Sequence, residues 1–193
     1  MNKGTLFLYL INFAVIGALP FFFFREGRFN LMWCLTSAPY VLSAALLVWA
    51  YISGYQSPWN DISAVAAVPF SVGSIALIFL TVGTHRVPLA LWHQKNDAPH
   101  QIVTHGPYRR IRHPFYSAFL LALFGAFLFS PQAGTLILFL YALVMLNFTA
   151  GKEEKRLMSS EFGTEYQRYI KETGRFWPKL QSGIADNYER SVR

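Results

Sequence analysis

Residues 115–151 read FYSAFLLALFGAFLFSPQAGTLILFLYALVMLNFTAG, and this stretch contains no charged side chain. It divides into two apolar runs, 115–130 and 133–150, around Ser130-Pro131-Gln132-Ala133-Gly134, which has the composition of a turn. A helix needs about 20 apolar residues to cross about 30 Å of hydrocarbon, and the 16 residues of the first run rise only about 24 Å. The pattern therefore predicts a transmembrane helical hairpin whose first helix is short.

The N-terminal part of the chain is equally apolar. Residues 5–83 hold only four charged side chains, and three uncharged runs, 5–24, 31–52 and 62–83, are each long enough to span a membrane. Charged residues make up 14% of the chain, against about 25% in soluble globular proteins. These observations exclude a soluble domain, a disordered chain and a disulfide-built secreted scaffold. They predict an all-α integral membrane protein with five transmembrane helices.

The basic residues predict the orientation of these helices. With the N-terminus outside, 16 of the 17 Lys and Arg side chains lie on the inner side of the membrane, and only Lys3 lies outside. Because basic residues concentrate on the cytoplasmic side of membrane proteins, we expect the N-terminus outside and the C-terminus in the cytoplasm. The net charge of +7 also favours contact with anionic membrane lipids.

Other classes of site have little support in the sequence. The basic residues are scattered and form no known nucleic-acid module, so we expect no nucleic acid as a partner. All five histidines lie in the polar segment between the third and fourth spans, and none lies within a span, so we expect no haem or metal site. Cys34 stands alone in an apolar run and is interpreted as a packing residue.

The end of that polar segment has the features of an anion site. Pro114 suits the first position of the fourth helix, which places His113 near the N-cap at the positive end of the helix dipole. Three arginines precede it, at positions 109, 110 and 112. The segment is predicted either to bind an anionic group such as a carboxylate or to act as a basic anchor at the membrane surface.

A second polar cluster follows the fifth span. Glu153 and Glu154 lie where that helix leaves the membrane, and Phe162, Tyr166 and Tyr169 are spaced to form one face of a short amphipathic helix, which we expect to lie against the lipid headgroups. The two glutamates fit either a solvated helix end or a site. Since both ends of the hairpin return to the same membrane surface, we expect the glutamates to lie near His113.

Taken together, the two clusters resemble the isoprenylcysteine carboxyl methyltransferase family, whose wider group includes phospholipid methyltransferases. The resemblance covers about 80 residues and rests on these motifs: His100-Gln101-Ile102-Val103, Gly106-Pro107-Tyr108, Arg112-His113-Pro114-Phe115-Tyr116, Glu153-Glu154, Phe162-Gly163 with Tyr166 and Tyr169, and Arg175-Phe176-Trp177-Pro178. It implies a methyltransferase-like region over residues 85–180. The apolar runs predict three transmembrane helices over residues 1–84 before it, and the polar composition of residues 181–193 predicts a mobile tail after it.

The resemblance also implies S-adenosylmethionine as the methyl donor, bound at the cytoplasmic face of the membrane. The residues it assigns to the cofactor are His100, Gln101, Ile102, Val103, Tyr108, His113, Pro114, Phe115, Tyr116 and Glu154. From charge, we assign Arg112 and His113 to the carboxylate end of the cofactor and Glu154 to its cationic or hydroxyl side. On that assignment, replacing Glu154 with alanine removes cofactor binding and leaves the fold intact.

The methyl acceptor is expected to be a lipophilic molecule that enters from the bilayer, with a carboxylate, phenol, amine or thiol as the reacting group. A phenol or amine requires a proton acceptor, and His113 or Glu153 could serve. The prenylcysteine branch has an arginine where this chain has Ala150, and a glutamine where it has His93, which disfavours a prenylcysteine substrate. Ala150 and the unmatched segment 85–99 favour the alternative of a non-catalytic membrane assembly factor or scaffold.

Overall fold

The computed structural model describes residues 2–23, 31–55, 60–84 and 102–179. Within these ranges the chain forms six α-helices and one 3₁₀ helix, Gly106–Arg109. The α-helices are α1 (Lys3–Phe23), α2 (Leu31–Ile52), α3 (Asn60–Thr84), α4 (Pro114–Phe129), α5 (Ala133–Met158) and α6 (Gly163–Glu172). The all-α prediction is therefore confirmed for the described residues, whereas the segment 85–99 and the tail 181–193 lie outside them.

Three helices are long and apolar enough to cross a membrane, over Leu35–Ile52, Ile62–Thr84 and Ala133–Met158. Two shorter apolar helices, Lys3–Ala18 and Pro114–Phe129, coincide with the first and fourth predicted spans. The second predicted span, 31–52, has the same bounds as α2. Helix α5 begins where the fifth predicted span begins and continues beyond it, from residue 150 to Met158, because the charged residues after Gly151 favour a helix. Five spans, and their orientation, stay predictions.

Helix α4 lies at the centre of the helical packing. Ala118, Ala122 and Ala126 are fully buried and form a stripe of small side chains that lets neighbouring helices approach closely. A Cβ atom added at Gly125 would lie 2.0 Å from the hydroxyl of Tyr9 and 2.8 Å from Cβ of Phe70. Glycine at position 125 is therefore what allows α1 and α3 to contact α4 here.

Buried polar groups join α1 to α3. The Tyr9 hydroxyl donates to the carbonyl of Ala67 at 2.6 Å, and Asn12 Nδ2 donates to Ser71 Oγ at 3.1 Å. Ser74 Oγ in turn donates to Asn12 Oδ1 at 3.2 Å. These groups satisfy one another, as polar side chains between apolar helices must. These polar side chains of the N-terminal helices therefore serve helix packing.

The hairpin of α4 and α5 positions the residues of interest. Its turn is held by Thr135, whose hydroxyl donates to the carbonyl of Ser130 at 2.8 Å, and by Tyr55, whose hydroxyl donates to the carbonyl of Pro131 at 3.0 Å. Because the two helices run antiparallel from this turn, the first turn of α4 and the last turns of α5 lie at the same end of the molecule. That end contains the site.

Candidate active site

The site begins at the N-terminus of α4. His113 is the N-cap residue and Pro114 occupies the first turn, as predicted, where the N–H group that proline lacks has no helical partner to lose. The backbone of residues 110–113 lies beside residues 174–175: the N–H of Arg112 donates to the carbonyl of Gly174 at 2.9 Å, and the N–H of His113 donates to that of Arg175 at 3.1 Å. Residues well separated in sequence are thus held side by side at the start of α4.

This pairing depends on a glycine. A Cβ atom added at Gly174 would lie 1.6 Å from the carbonyl oxygen of Trp177, a distance that no side chain can occupy. The absence of a side chain lets residues 174–177 fold back tightly after α6. The turn directs Arg175 towards α5 and places Phe176, which is buried, against the rings of His113 and Tyr116.

Glu154 is the centre of the charged cluster. Its Oε1 accepts hydrogen bonds from Arg112 Nε at 2.8 Å and from Arg175 Nε at 3.2 Å, and its Oε2 accepts one from Arg175 Nη2 at 2.5 Å. Nε2 of His113 lies 3.3 Å from the same Oε1. The side chains of Glu154 and Arg112 are only 6% and 8% exposed. A buried carboxylate with two guanidinium partners is held in one position and is electrically compensated.

Both arginines of the cluster have further partners. Arg112 Nη1 donates to the carbonyl of Thr173 and, at 3.4 Å, to that of Ile170, so it satisfies carbonyl groups at the end of α6. Arg175 Nη1 donates to Asn147 Oδ1 at 2.7 Å, two turns before Glu154 on α5. Arg112 is enclosed, whereas the side chain of Arg175 remains 33% exposed. Arg175 is thus the guanidinium of this cluster that a ligand can reach.

His113 lies between the two glutamates. Its Nδ1 is 3.4 Å from Glu153 Oε2 and its Nε2 is 3.3 Å from Glu154 Oε1. Its ring is parallel to that of Tyr116, with centroids 5.3 Å apart. Burial lowers the pKa of His113, but the hydrogen bonds with Glu153 and Glu154 outweigh burial, and the pKa is raised above its ordinary value of 6.5. The geometry is that of an imidazolium whose two N–H groups each donate to a carboxylate.

Glu153 differs from Glu154 in its partners. Its Oε1 accepts a hydrogen bond from the Tyr116 hydroxyl at 2.7 Å, its Oε2 faces His113, and its side chain is 27% exposed. No ion pair joins it to an arginine in the part of the chain that the structure describes. Burial, with the charges of Tyr169 and Glu153 adding to it, raises the pKa of the Tyr108 phenol. Glu153 therefore lies among Tyr108, Tyr116 and His113 as a carboxylate that can take another partner.

Helix α6 faces the protein with its aromatic side. Tyr166 and Tyr169 are buried, and the Tyr169 hydroxyl donates to the carbonyl of Tyr108 at 2.5 Å. The expectation that this face lies against lipid headgroups is therefore wrong, because the aromatic residues pack over the charged cluster and the 3₁₀ helix. This hydrogen bond joins α6 to the 3₁₀ helix, which contains Tyr108.

The structure brings together five of the predicted site residues: Arg112, His113, Tyr116, Glu153 and Glu154. Arg112 and Glu154 were assigned to opposite ends of the cofactor, but the structure joins them in an ion pair. Pro114 and Phe115 are buried, and the ring of Phe115 packs near that of Phe119 in the core. Ile102 and Val103 are partly buried in the irregular segment before the 3₁₀ helix. His100 and Gln101 lie outside the described residues.

Arg175 is the site residue that the sequence did not single out. It belongs to a motif that supported the family resemblance, but it lies outside any periodic pattern and 21 positions from its partner Glu154. A basic residue next to a buried aromatic, Phe176, was the available signal. Among the described residues, no group of three or more His, Cys, Asp and Glu side chains could hold a metal ion.

Residues 93–165 match the phospholipid methyltransferase family. The matched range contains all five clustered residues, whereas Arg175 lies after it. This match agrees with the wider methyltransferase group named in the resemblance, whereas the isoprenylcysteine branch stays a prediction. The match covers 73 of the 193 residues of the chain.

Two curated relatives are similar over a longer part of the chain. The nickel-cobalt-cadmium resistance protein NccN of Alcaligenes xylosoxydans xylosoxydans is 27% identical over 140 residues, which are 72% of this chain and 62% of that protein. The cobalt-zinc-cadmium resistance protein CzcN of Cupriavidus metallidurans is 27% identical over 125 residues, 65% of this chain and 56% of that protein. The match thus spans about three fifths of the length of these relatives, which are named as metal-resistance proteins.

Proposed function

We propose that this chain is an S-adenosylmethionine-dependent membrane methyltransferase that acts on a lipophilic acceptor at the cytoplasmic face. The observation that carries the proposal is the meeting of His113 and Tyr116 on α4 with Glu153 and Glu154 on α5. These side chains belong to the domain that matches the phospholipid methyltransferase family. A carboxylate, phenol, amine or thiol is the reacting group of the acceptor.

The charges of the cluster fit the proposed cofactor. S-adenosylmethionine has a carboxylate, an ammonium group and a sulfonium, and the cluster presents both signs of charge at its accessible edge through Glu153, 27% exposed, and Arg175, 33% exposed. Aromatic rings favour a cation nearby, and Tyr108 and Tyr116 surround Glu153. Arg175 would bind the carboxylate and Glu153 the cationic side, with the predicted segment from His100 to Tyr108 and the first turn of α4 as the remaining contacts.

Glu153, not His113, is the proton acceptor in this proposal. Both ring nitrogens of His113 already face carboxylates, so the imidazolium has no free lone pair with which to take a proton. When bound, S-adenosylmethionine would supply an activated methyl group: the nitrogen or oxygen atom of the acceptor would bond to the methyl carbon as the carbon–sulfur bond breaks with its electron pair going to sulfur. Glu153 would take the proton that the acceptor releases. His113 and Tyr116 position the Glu153 carboxylate for this step.

Glu154 has a positioning role. It orders Arg112, Arg175 and His113 around one carboxylate and so connects α4, α5 and the segment after α6. Because its oxygens are already occupied, we no longer assign it to the cationic side of the cofactor. That role passes to Glu153, its neighbour on α5.

Methyl transfer tests the proposal directly. The purified protein in phosphatidylcholine vesicles is incubated with S-adenosylmethionine labelled in the methyl group and one of four probes: phosphatidylethanolamine, a long-chain alkylphenol, a long-chain alkanethiol or a prenylated cysteine. We expect label in the lipid fraction with at least one probe and loss of that transfer in Glu153→Gln. No label with any probe, in protein that unfolds cooperatively, would contradict the proposal.

A second candidate function is a non-catalytic membrane component. It is favoured by the names of the two relatives, which are metal-resistance proteins, and by the Glu154 cluster, whose charges satisfy one another without a ligand. This candidate predicts that neither S-adenosylmethionine nor S-adenosylhomocysteine changes the unfolding temperature. The enzyme predicts that both raise it.

A further inference from the structure

Thr149 on α5 has a buried hydroxyl that lacks a partner. Its side chain is 2% exposed, and Oγ1 makes no hydrogen bond with any described residue. Threonines in apolar helices usually donate to the carbonyl one turn earlier: Thr81 does so to Leu77 at 2.6 Å and Thr84 to Leu80 at 2.8 Å. Buried polar atoms in native proteins nearly always have a partner, so the hydroxyl of Thr149 is open to a partner that the described residues do not supply.

The position of Thr149 identifies where that partner would lie. It precedes Glu153 by four residues on the continuous helix α5, so the two side chains lie on the same face, with Cβ atoms about 6 Å apart. It also lies one turn further into the apolar part of the helix than Glu153, on the side from which a lipophilic acceptor arrives. Ala150, the next residue in the sequence, is fully buried.

The chemistry of this pair favours a protic acceptor. The Thr149 hydroxyl and the Glu153 carboxylate can both accept a hydrogen bond, so an N–H or O–H group fits between them. A carboxylate acceptor would bring a second negative charge to Glu153. Of the two arginines of the cluster, Arg112 is enclosed against Glu154 and Arg175 is assigned to the cofactor carboxylate, so neither is left for the acceptor. An acceptor that presents an N–H or O–H group is therefore the one this pair recognises.

We propose that Thr149 is an acceptor-binding residue, whose hydroxyl acts with Glu153 to hold the N–H or O–H group of the methyl acceptor. The inference rests on the proposed function and deepens it, because it names a residue that selects among acceptors. It also separates the two ends of the site: Arg175 and Glu153 face the cofactor, and Thr149 faces the acceptor.

Three variants test this role. Thr149→Val keeps the shape and removes the hydroxyl, Thr149→Ser keeps the hydroxyl, and Ser43→Ala is the matched control. Among the described residues, Ser43 also has a buried hydroxyl without a partner. It lies on α2 between Leu35 and Leu46. The Leu35 carbonyl accepts a hydrogen bond from Tyr141, and the Leu46 side chain lies next to Gly134, so this part of α2 is beside residues 134–141 of α5. It is therefore level with a part of α5 at least about 12 Å from Thr149.

The variants are assayed in phosphatidylcholine vesicles with labelled S-adenosylmethionine and three probes: phosphatidylethanolamine, a long-chain alkylphenol and a prenylated cysteine. With the amine or phenol that the wild type methylates, we expect Thr149→Val to raise KM for the probe about tenfold or more. The KM for S-adenosylmethionine should stay within about twofold. Thr149→Ser should recover most of the activity, and Ser43→Ala should match the wild type. Thr149→Val should unfold at the same temperature as the wild type or higher, because it removes an unpaired polar group.

The outcomes separate this inference from the proposed function. Equal probe KM values in wild type and Thr149→Val, or methylation of the prenylated cysteine alone, would overturn the role of Thr149 and leave the methyltransferase intact. A loss of activity in Thr149→Val that Thr149→Ser does not recover would also overturn it, as a packing effect. A wild type that methylates none of the probes would refute the inference and count against the proposed function.

Discussion

Arg112 Nε lies 2.8 Å from Glu154 Oε1, although 42 positions separate the two residues in the sequence. This ion pair joins the segment before α4 to the last turns of α5. Arg175, in the segment after α6, binds the same carboxylate. The site is thus assembled by one buried carboxylate that joins three parts of the chain.

Replacing Glu154 with glutamine should therefore destabilise the protein. The change leaves Arg112, 8% exposed, without its counter-charge, and breaking a buried pair costs about 3–5 kcal/mol. We expect a clearly lower thermal unfolding temperature in detergent, whereas Glu161→Gln, at an exposed position, should leave it unchanged. This corrects the expectation that a Glu154 variant stays folded and loses only cofactor binding. A Glu154→Gln protein with wild-type stability would contradict the structural role.

Replacing Glu153 with glutamine should reduce activity without destabilising the protein. Its side chain is partly exposed and is held by Tyr116 and His113, so the fold should survive with little change in unfolding temperature. Loss of the proton acceptor should reduce methyl transfer about 100-fold or more. Rates with labelled S-adenosylmethionine check this, and an active Glu153→Gln variant would remove Glu153 from the mechanism.

The difference between the two glutamates could not be read from the sequence. The hairpin topology was enough to predict that His113 and the Glu153-Glu154 pair lie together, because an antiparallel hairpin must bring its ends to one surface. The direction of each side chain depends on partners that arrive from elsewhere. Arg175 reaches Glu154 only because Gly174 allows the chain to fold back, and that turn has no periodic signature.

The helices show the same division. An uncharged run marks where lipid can lie, which predicts α2 correctly, but it does not mark where a helix ends: α5 continues eight residues beyond the uncharged run 133–150. The aromatic face of α6 was visible as a pattern. The sequence did not show what this face packs against, because lipid and protein offer the same apolar contact to Tyr166 and Tyr169.

The charge of His113 gives a pH dependence. Since its pKa is raised in the folded protein, the stability contributed by the imidazolium is fully present below the unfolded value near 6.5 and is lost as the pH rises through the folded pKa. Unfolding temperatures measured from pH 6 upward should therefore fall more steeply for the wild type than for His113→Asn. Parallel curves for the two proteins would mean that His113 is neutral when folded.

The turn after α6 gives a test that is independent of charge. Gly174→Ala would place a Cβ atom 1.6 Å from the carbonyl oxygen of Trp177, so the turn must open and displace Arg175 and Phe176. We expect a loss of about 1–3 kcal/mol in unfolding free energy together with reduced activity. Gly151→Ala is the control, because a Cβ atom there meets nothing within 4 Å and should be neutral or stabilising. Equal behaviour of the two variants would show that the turn is not constrained.

The most direct test of the central claim is calorimetric titration of the detergent-purified protein with S-adenosylmethionine and S-adenosylhomocysteine, on the wild type and on Glu153→Gln. The account predicts saturable binding of both compounds to the wild type. It also predicts a larger loss of affinity for S-adenosylmethionine than for S-adenosylhomocysteine in Glu153→Gln, because only the former has the sulfonium charge. The absence of saturable binding of either compound, in wild-type protein with a cooperative unfolding transition, would contradict the account and favour the non-catalytic alternative.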